Sequence, residues 1–398
     1  MLSASTIATV KATVPVLQTH GETLTRHFYA IMFRDHPEVR PFFNPAHQAS
    51  GTQARALAAS VVAYAQHIDR LEALAGAVPT IVHKHAALGV LPEHYPIVGK
   101  CLLQAIREVL GEAATPDILD AWAQAYGALA QILIGAEEAI YQANATRTGG
   151  WRGTRAFRVA RREVESDVIT SFYLEPVDGG ALPSYQAGQY LTVLTTLDGV
   201  AMRRNYSLSS APGQPWLRIS VKREAGGVFS TWLHDQTQIG QVLEVMPPCG
   251  EFVLNADRLA AGAGLVFVVG GIGITPALAM LESTVASGRP ITLIHAARNS
   301  AAQAFRARLE DLAKRYASLK VHHIYDQPLA QDRPDAVGLL DATRLAQWLP
   351  AGSDYDLYFL GPKPFMRSVH ALALDLGLQP ERLHWEFFGP KEALDEAA

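Results

Sequence analysis

The turn Val269-Gly270-Gly271-Ile272-Gly273-Ile274-Thr275-Pro276 carries the clearest chemical signal. It follows the apolar run Leu265-Val266-Phe267-Val268 and precedes a helical stretch. In that setting Gly271 and Gly273 let backbone N–H groups close around a pyrophosphate at a helix N-terminus, with Thr275 and Pro276 opening the helix. Histidine is a weaker guide, because the chain has 14 of them. His85 stands out by its surroundings: it lies late in a helical segment with large aromatics upstream. A haem pocket needs such a segment, since iron takes an imidazole on one face and leaves the other for O2. Gln53 and Leu57 are one helical turn apart and share a face. Cys101 and Cys249 match no metal-binding spacing.

The elements that would hold these residues differ in texture along the chain. Up to about residue 146 the pattern is helical: Trp122, Tyr126, Leu129 and Leu133 recur at helical spacing, and prolines punctuate the stretches. Thr148-Gly149-Gly150 reads as a short flexible break. Between 151 and 258 the pattern alternates. Leu217, Ile219 and Val221 interleave with Arg218, Ser220 and Lys222, and Ala187–Thr196 is a further strand, which predicts an antiparallel barrel. From 262 to 398, strands at 265–269, 291–296, 321–325 and 357–360 alternate with helices at 276–287, 301–316 and 365–376. That alternation predicts a doubly wound parallel sheet. The expected fold is a three-domain chain of α, β and α/β parts, divided at 1–146, 151–258 and 262–398.

Composition narrows the function. A net charge of -4 with no basic block argues against a nucleic-acid partner. Two cysteines argue against a disulfide framework and fit a reducing compartment. The N-terminus lacks the basic and apolar segments of a signal peptide, and no apolar run reaches the ~20 residues needed to span a bilayer. The expectation is a cytoplasmic protein.

Residues 1 to about 144 resemble the globin domain of bacterial flavohaemoglobins. The segments Thr6-Ile7-Ala8-Thr9-Val10-Lys11-Ala12-Thr13, Leu24-Thr25-Arg26-His27-Phe28-Tyr29 and Ala125-Tyr126-Gly127 carry the likeness. It implies that His85 is the proximal ligand of a haem b iron. It places Tyr29 and Gln53 on the distal side with Leu57 beside them, and Phe43 against the haem. Glu137 and Tyr95 would sit behind His85, where a carboxylate accepting the imidazole N–H fixes the ring and raises its basicity. The alternative is that Glu137, with Glu138 next to it, lies on a solvated helix face. Lys84 would face the flavin side, within reach of a carboxylate such as Glu386.

Arg204-Asn205-Tyr206-Ser207 resembles the Arg-x-Tyr-Ser/Thr motif of the ferredoxin-reductase family, with Gln189-Tyr190 upstream and Gly226-Gly227-Val228-Phe229-Ser230 downstream in that family's order. The likeness implies an FAD site. The Arg204 fork would meet the diphosphate, the Tyr206 ring the isoalloxazine, and the Ser207 hydroxyl the flavin edge. Gly226, Gly227, Val228 and Ser230 would approach the phosphates. Leu360-Gly361-Pro362 takes the place of the usual Cys-Gly-Pro, and Glu386-Phe387-Phe388-Gly389-Pro390 closes the chain with Phe388 against the flavin. Ile274 stands where many relatives have a polar residue, so the grip on the nucleotide is in question. Leu360 removes a thiol expected beside the nicotinamide. Arg298 could meet a 2′-phosphate, and no acid plainly claims a free ribose, which leaves NADH and NADPH both open.

The resemblance spans all three parts in order and implies one electron line: NADH or NADPH to FAD, FAD to haem, haem to O2 and nitric oxide. The implied activity is nitric oxide dioxygenase, in a monomer whose distal pocket could also admit a lipid. Two other readings remain: a haem–flavin reductase of O2 or lipid hydroperoxides, and a haem-based gas sensor.

Overall fold

The computed structural model describes residues 2–350, 352 and 354–389. Met1, and Pro390 of the closing motif, lie outside them. The N-terminal part is helical: α1 (Ala4–Ala12), α2 (Val14–Asp35), α3 (Pro45–Ala49), α4 (Thr52–His67), α5 (Val78–Leu88), α6 (His94–Leu110) and α7 (Pro116–Thr146). Start signals are local. Ser3 accepts from the Thr6 amide at 3.0 Å and Thr115 from the Ile118 amide at 3.4 Å, each meeting an N–H that the first turn leaves without a partner. Prolines occupy the first turn of α2, α3, α5 and α7, where a missing N–H costs nothing. The face predicted from Trp122 and Leu133 is the buried face of α7, with Tyr126 and Leu129 half-buried on the same core. Helix α5 stops at Gly89, which has φ of +77°. The Gly89 amide donates back to the Ala86 carbonyl and the Val90 amide to the His85 carbonyl, at 3.1 and 3.0 Å.

The predicted break at 148–150 is held rather than flexible. Gly150 N–H donates to the Arg147 carbonyl at 2.8 Å, Arg147 to the Ser184 carbonyl at 2.9 Å, and Arg155 to the Gly149 carbonyl at 3.1 Å.

An antiparallel sheet follows: β1 (Arg155–Ser166), β2 (Ile169–Pro176), β3 (Tyr190–Leu197), β4 (Val200–Ser207), β5 (Leu217–Lys222) and β6 (Val242–Val245), in the order β4-β3-β6-β1-β2-β5. A bridge between Leu208 and Ile219 brings the two outer strands together, as the predicted barrel requires. Asp198-Gly199, with φ of 50° and 77°, makes the two-residue β3–β4 turn that this strand twist favours. Helix α8 (Val228–Asp235) packs Phe229 and Leu233 onto Phe172, Leu191, Val193 and Ile219. The strand expected from Ala187 begins only at Tyr190. Gly188 sits at φ of +107°, outside strand geometry, and any Cβ there would overlap the Phe252 carbonyl.

The last part runs α9 (Ala256–Ala260), β7 (Gly264–Gly270), α10 (Ile274–Thr284), β8 (Ile291–Ala297), α11 (Arg306–Arg315), β9 (Leu319–Tyr325), β10 (Ala336–Val337), α12 (Ala342–Trp348), β11 (Tyr355–Leu360), α13 (Lys363–Asp375) and β12 (Leu383–Trp385). All its strand pairings are parallel, in the order β10-β9-β8-β7-β11-β12. The chain leaves β7 in one direction and later returns to β11 on its other side. That reversal opens a crevice at the carboxyl ends of β7 and β11, where such sheets bind ligands. The helix predicted from Ala301 starts only at Arg306. Upstream, Asn299 caps the Ala302 amide, Ser300 bonds Asp332, and Gln303 turns inward to two histidines, so the side chains compete with helix formation. Among the described residues no helix is long and apolar enough to cross a membrane.

Candidate active site

Three helices converge behind His85. Helix α5 presents the imidazole, α7 presents Glu137, and the first turn of α6 presents Tyr95. His85 Nδ1 lies 2.7 Å from Glu137 Oε1, and the Tyr95 hydroxyl donates to the same oxygen at 2.5 Å. Glu137 is 2% exposed. Glu138 points the other way and pairs with Arg152 at the surface at 2.7 Å, which settles which carboxylate faces inward. Burial, and Glu137 beside it, hold the Tyr95 phenol well above its usual pKa. With Nδ1 committed to the carboxylate, Nε2 is the nitrogen left to a metal, and the ring is still one-third exposed. The donor set therefore fits a haem iron. Replacing Glu137 with leucine strands the Tyr95 hydroxyl and the imidazole N–H inside the fold. The expected loss is about 1–3 kcal/mol in a urea melt, with Glu137→Gln losing less.

Tyr29 from α2 faces Gln53 and Leu57 of α4. It is buried, its ring edge-on to Phe43 with centroids 5.6 Å apart and stacked on Phe33 at 5.8 Å. Burial drives its hydroxyl far above the ordinary phenol pKa, and the nearby Gln53 side chain pulls it part-way back. The hydroxyl thus stays protonated and able to donate. The structure brings together Tyr29, Gln53 and Phe43 as expected, with Leu57 half-buried in the same core.

In the barrel, β3 and β4 pair Tyr190 with Ser207 and Leu191 with Tyr206. Arg204 and Tyr206 share a strand face and both approach Phe229, at 5.8 and 6.1 Å. The Arg204 guanidinium is half-buried and donates to the Arg203 carbonyl at 2.7 Å, and desolvation lowers its pKa. Among the described residues no carboxylate pairs with it. A half-buried cation without a counterion fits an anionic diphosphate. Gly226, at φ of +73°, and Gly227 lead into the first turn of α8, where Val228 begins the helix. Two other predicted contacts are engaged internally. Ser230 Oγ accepts from the Glu224 amide and donates to the Gly227 carbonyl, at 3.1 and 3.2 Å. The Gln189 side chain bridges the Gln186 amide and the Gly250 carbonyl, so both residues shape the turns around the site.

In the crevice, Gly271 has φ of +54°, and the Thr275 hydroxyl donates to the Ile272 carbonyl at 3.0 Å, with Pro276 buried behind it. A Cβ on Gly273 would stand 2.5 Å from the Leu360 carbonyl, and one on Gly361 2.7 Å from Phe365. The two turns interlock because neither carries a side chain. Gly273→Ala is expected to cost about 1–3 kcal/mol through overpacking. In a thermal melt and an NADH titration it should lower Tm and raise KM while flavin content holds.

Ile274 and Leu360, the two departures, are both fully buried in one apolar cluster under the crevice. Their side chains fill core beneath the turns that would hold the nucleotide. His295 is also internal: its Nε2 meets the Gly271 carbonyl at 3.1 Å, and Gln303 links its Nδ1 to His323. Arg298 is exposed past β8.

The C-terminal segment returns to α5. Lys84 Nζ donates to the Gly389 carbonyl at 2.7 Å. Burial raises the Glu386 carboxyl to about 7 against the pull of Lys84. Phe388 is 51% exposed, an open apolar ring next to this junction. A cleft of about 410 Å³ lies here between Thr80, Lys84, Glu251, His384 and Glu386. Tyr190 packs with Ala86 and Ala87 of α5, with Tyr141 and with Cys249, joining the barrel to the His85 helix. Sequence reasoning missed this junction. Thr80 donates to Glu251, His83 accepts from the Gly250 amide at 3.1 Å, and Arg203 reaches the Leu88 carbonyl. All three contacts link residues more than a hundred positions apart, and no local spacing announces them.

Comparison with known proteins agrees with this arrangement. Residues 26–133 match the Globin family, 158–254 the Oxidoreductase FAD-binding domain family and 267–371 the Oxidoreductase NAD-binding domain family. The flavohemoprotein of Pseudomonas aeruginosa is 53% identical over 397 residues, covering 99% of this chain and 100% of its own. That of Deinococcus radiodurans is 50% identical over 401 residues, with 99% and 98% covered. A solved flavohemoglobin from Malassezia yamatoensis, with FAD and heme bound, superposes with a TM-score of 0.87 at 29% identity, covering 98% of this chain and 100% of its own. The FAD/NAD-binding part of a nitric oxide dioxygenase from Vibrio cholerae superposes with a TM-score of 0.55 at 32% identity, covering 60% of this chain and 100% of its own. The chain belongs to the flavohemoprotein family, as an NAD(P)H-dependent oxidoreductase with haem-, FAD- and nicotinamide-binding domains.

Proposed function

We propose that the chain is a nitric oxide dioxygenase that uses NAD(P)H and O2 to turn nitric oxide into nitrate. One observation carries the reading most: Tyr29 is buried with half-buried Gln53 beside it, while Glu137 braces His85 from behind. The first suits a polar, partly negative diatomic ligand. The second enriches the imidazole, which favours reductive O2 chemistry over storage. The relative from Vibrio cholerae named for this activity supports the choice.

When bound, the nicotinamide supplies hydride, the flavin divides it into single electrons, and the haem activates O2. The protein's part is position and charge. His85 Nε2 would hold the iron, and Glu137 would keep the proton on Nδ1. The Tyr29 hydroxyl would donate a hydrogen bond to O2 held there, and Gln53 would orient Tyr29. Phe43 and Leu57 would line the pocket. Arg204 would meet the flavin diphosphate, and Gly226, Gly227 and the first amides of α8 would complete that grip. Tyr206 and Ser207 would meet the flavin ring. Gly271, Gly273, Thr275, Pro276 and Gly361 would shape the nicotinamide crevice, Phe388 would cover the flavin, and Lys84 and Glu386 would tie that cover to α5. On this reading the working unit is a cytoplasmic monomer, divided at 1–146, 151–258 and 262–398, because one chain supplies every site.

The test is NADH-driven loss of nitric oxide at an electrode, in oxygenated and in oxygen-free buffer. Rapid loss only with O2 supports the reading. NADH oxidation that ignores nitric oxide but responds to hydroperoxide would replace it with a peroxide reductase.

A further inference from the structure

Strand β4 carries two successive arginines that serve opposite faces. Arg204 turns to Phe229 inside the barrel domain. Alternation along the strand sends Arg203 to the other face, where it meets the helical domain. Its guanidinium lies 4.2 Å from the Phe42 ring centroid and donates to the Leu88 carbonyl. Desolvation lowers its pKa, and among the described residues no carboxylate pairs with it.

The position of Leu88 gives that contact its meaning. It is the last residue of α5, three residues after His85. The glycine cap uses the Gly89 and Val90 amides to satisfy the Ala86 and His85 carbonyls. The Leu88 carbonyl lies beyond that cap, at the negative end of the helix dipole, where a cation is the fitting partner. That cation comes from the barrel. The approach is close: a Cβ on Gly89 would stand 3.1 Å from Met246 Cε and 3.2 Å from an Arg203 nitrogen. On its helical side Phe42 packs edge-on against His94, with centroids 4.7 Å apart, and His94 Nδ1 accepts from the Leu91 amide at 2.9 Å. On its barrel side the Arg203 carbonyl accepts from Arg204 at 2.7 Å. One residue thus joins the end of the His85 helix to the strand that presents Arg204, Tyr206 and Ser207.

We propose that Arg203 is a positioning residue for electron transfer between flavin and haem. By clasping the Leu88 carbonyl and Phe42 it fixes the separation and orientation of the two cofactor sites. This rests on the reading above, in which the flavin feeds the haem. Electron transfer falls steeply with separation, so slack at this joint slows that step. The turns after β7 and β11, where the nicotinamide would dock to reduce the flavin, lie outside the Arg203–Leu88 contact.

The test compares wild-type holoprotein with Arg203→Met and Arg203→Lys, with haem and FAD quantified in each. Anaerobic mixing with NADH separates flavin bleaching from the haem reduction that follows. In Arg203→Met, flavin bleaching should stay within about twofold of wild type, and haem reduction should slow by on the order of tenfold or more. Arg203→Lys, which keeps a cation near the carbonyl, should recover much of the loss. Hydrogen exchange at the Gly89 and Val90 amides should quicken in the methionine variant alone. Wild-type haem reduction in fully loaded Arg203→Met overturns the proposal. Equal slowing of both steps, together with lost FAD, also overturns it, because it shows a role in folding. A wild-type protein whose flavin bleaches while its haem never follows overturns the functional reading itself and this role with it.

Discussion

Alanine at His85 is expected to yield a yellow protein: flavin at full occupancy, and no Soret band. The imidazole is braced by a buried carboxylate and is still one-third exposed. Its neighbours on α5 cannot stand in. His83 Nδ1 is engaged by the Gly250 amide, and Lys84 is drawn to Gly389. The fold should survive, because Tyr95 still donates to Glu137 when the imidazole is gone. The flavin site is untouched, since Arg204, Tyr206 and Ser207 belong to β4. Loss of nitric oxide consumption should be on the order of a thousandfold or more, as when a residue acting with others as a unit is removed. Absorption spectra and a haem assay check this directly. Stoichiometric haem in the variant would mean that another residue holds the iron.

The second large effect is expected at Tyr29. Phenylalanine there keeps the ring packing with Phe33 and Phe43 and deletes only the hydroxyl. A hydrogen bond to a partly charged partner contributes roughly 1.5–3 kcal/mol, so O2 should dissociate about tenfold to a hundredfold faster. Nitric oxide turnover should drop in step, because dioxygen leaves before it reacts. Stability should barely change, since a buried hydroxyl is removed along with its desolvation. No pH dependence should come from Tyr29 itself below strongly alkaline pH: burial raises its pKa, so the proton that makes the hydrogen bond is not lost. Flash photolysis or stopped-flow displacement of O2 measures the rate. An unchanged off-rate would remove Tyr29 from its role and leave Gln53 as the remaining polar contact.

Much of this was legible in the sequence, for identifiable physical reasons. The parallel sheet announced itself because β7 is buried on both faces and therefore reads as unbroken apolar residues. The interlocked turns did so because Gly271 and Gly273 have geometric work to do. The helical part was visible in the inward face of α7. What failed to show was set by tertiary contact. Ala301–Phe305 has helix-forming residues, yet Ser300 and Gln303 are taken by Asp332 and two buried histidines. Ile274 and Leu360 looked like departures at the nucleotide, but they face a shared core. The joint between domains, with Arg203, His83 and Thr80, is built from single residues far apart in the chain.

The most direct test of the whole account follows the product. Purified holoprotein is given NADH, nitric oxide and heavy-isotope dioxygen, and the nitrogen oxides formed are analysed by mass. The account predicts nitrate as the product, with both atoms of one dioxygen molecule in each ion, formed only while NADH lasts. Nitrous oxide, nitrate without the label, or NADH oxidation that leaves nitric oxide untouched would contradict it.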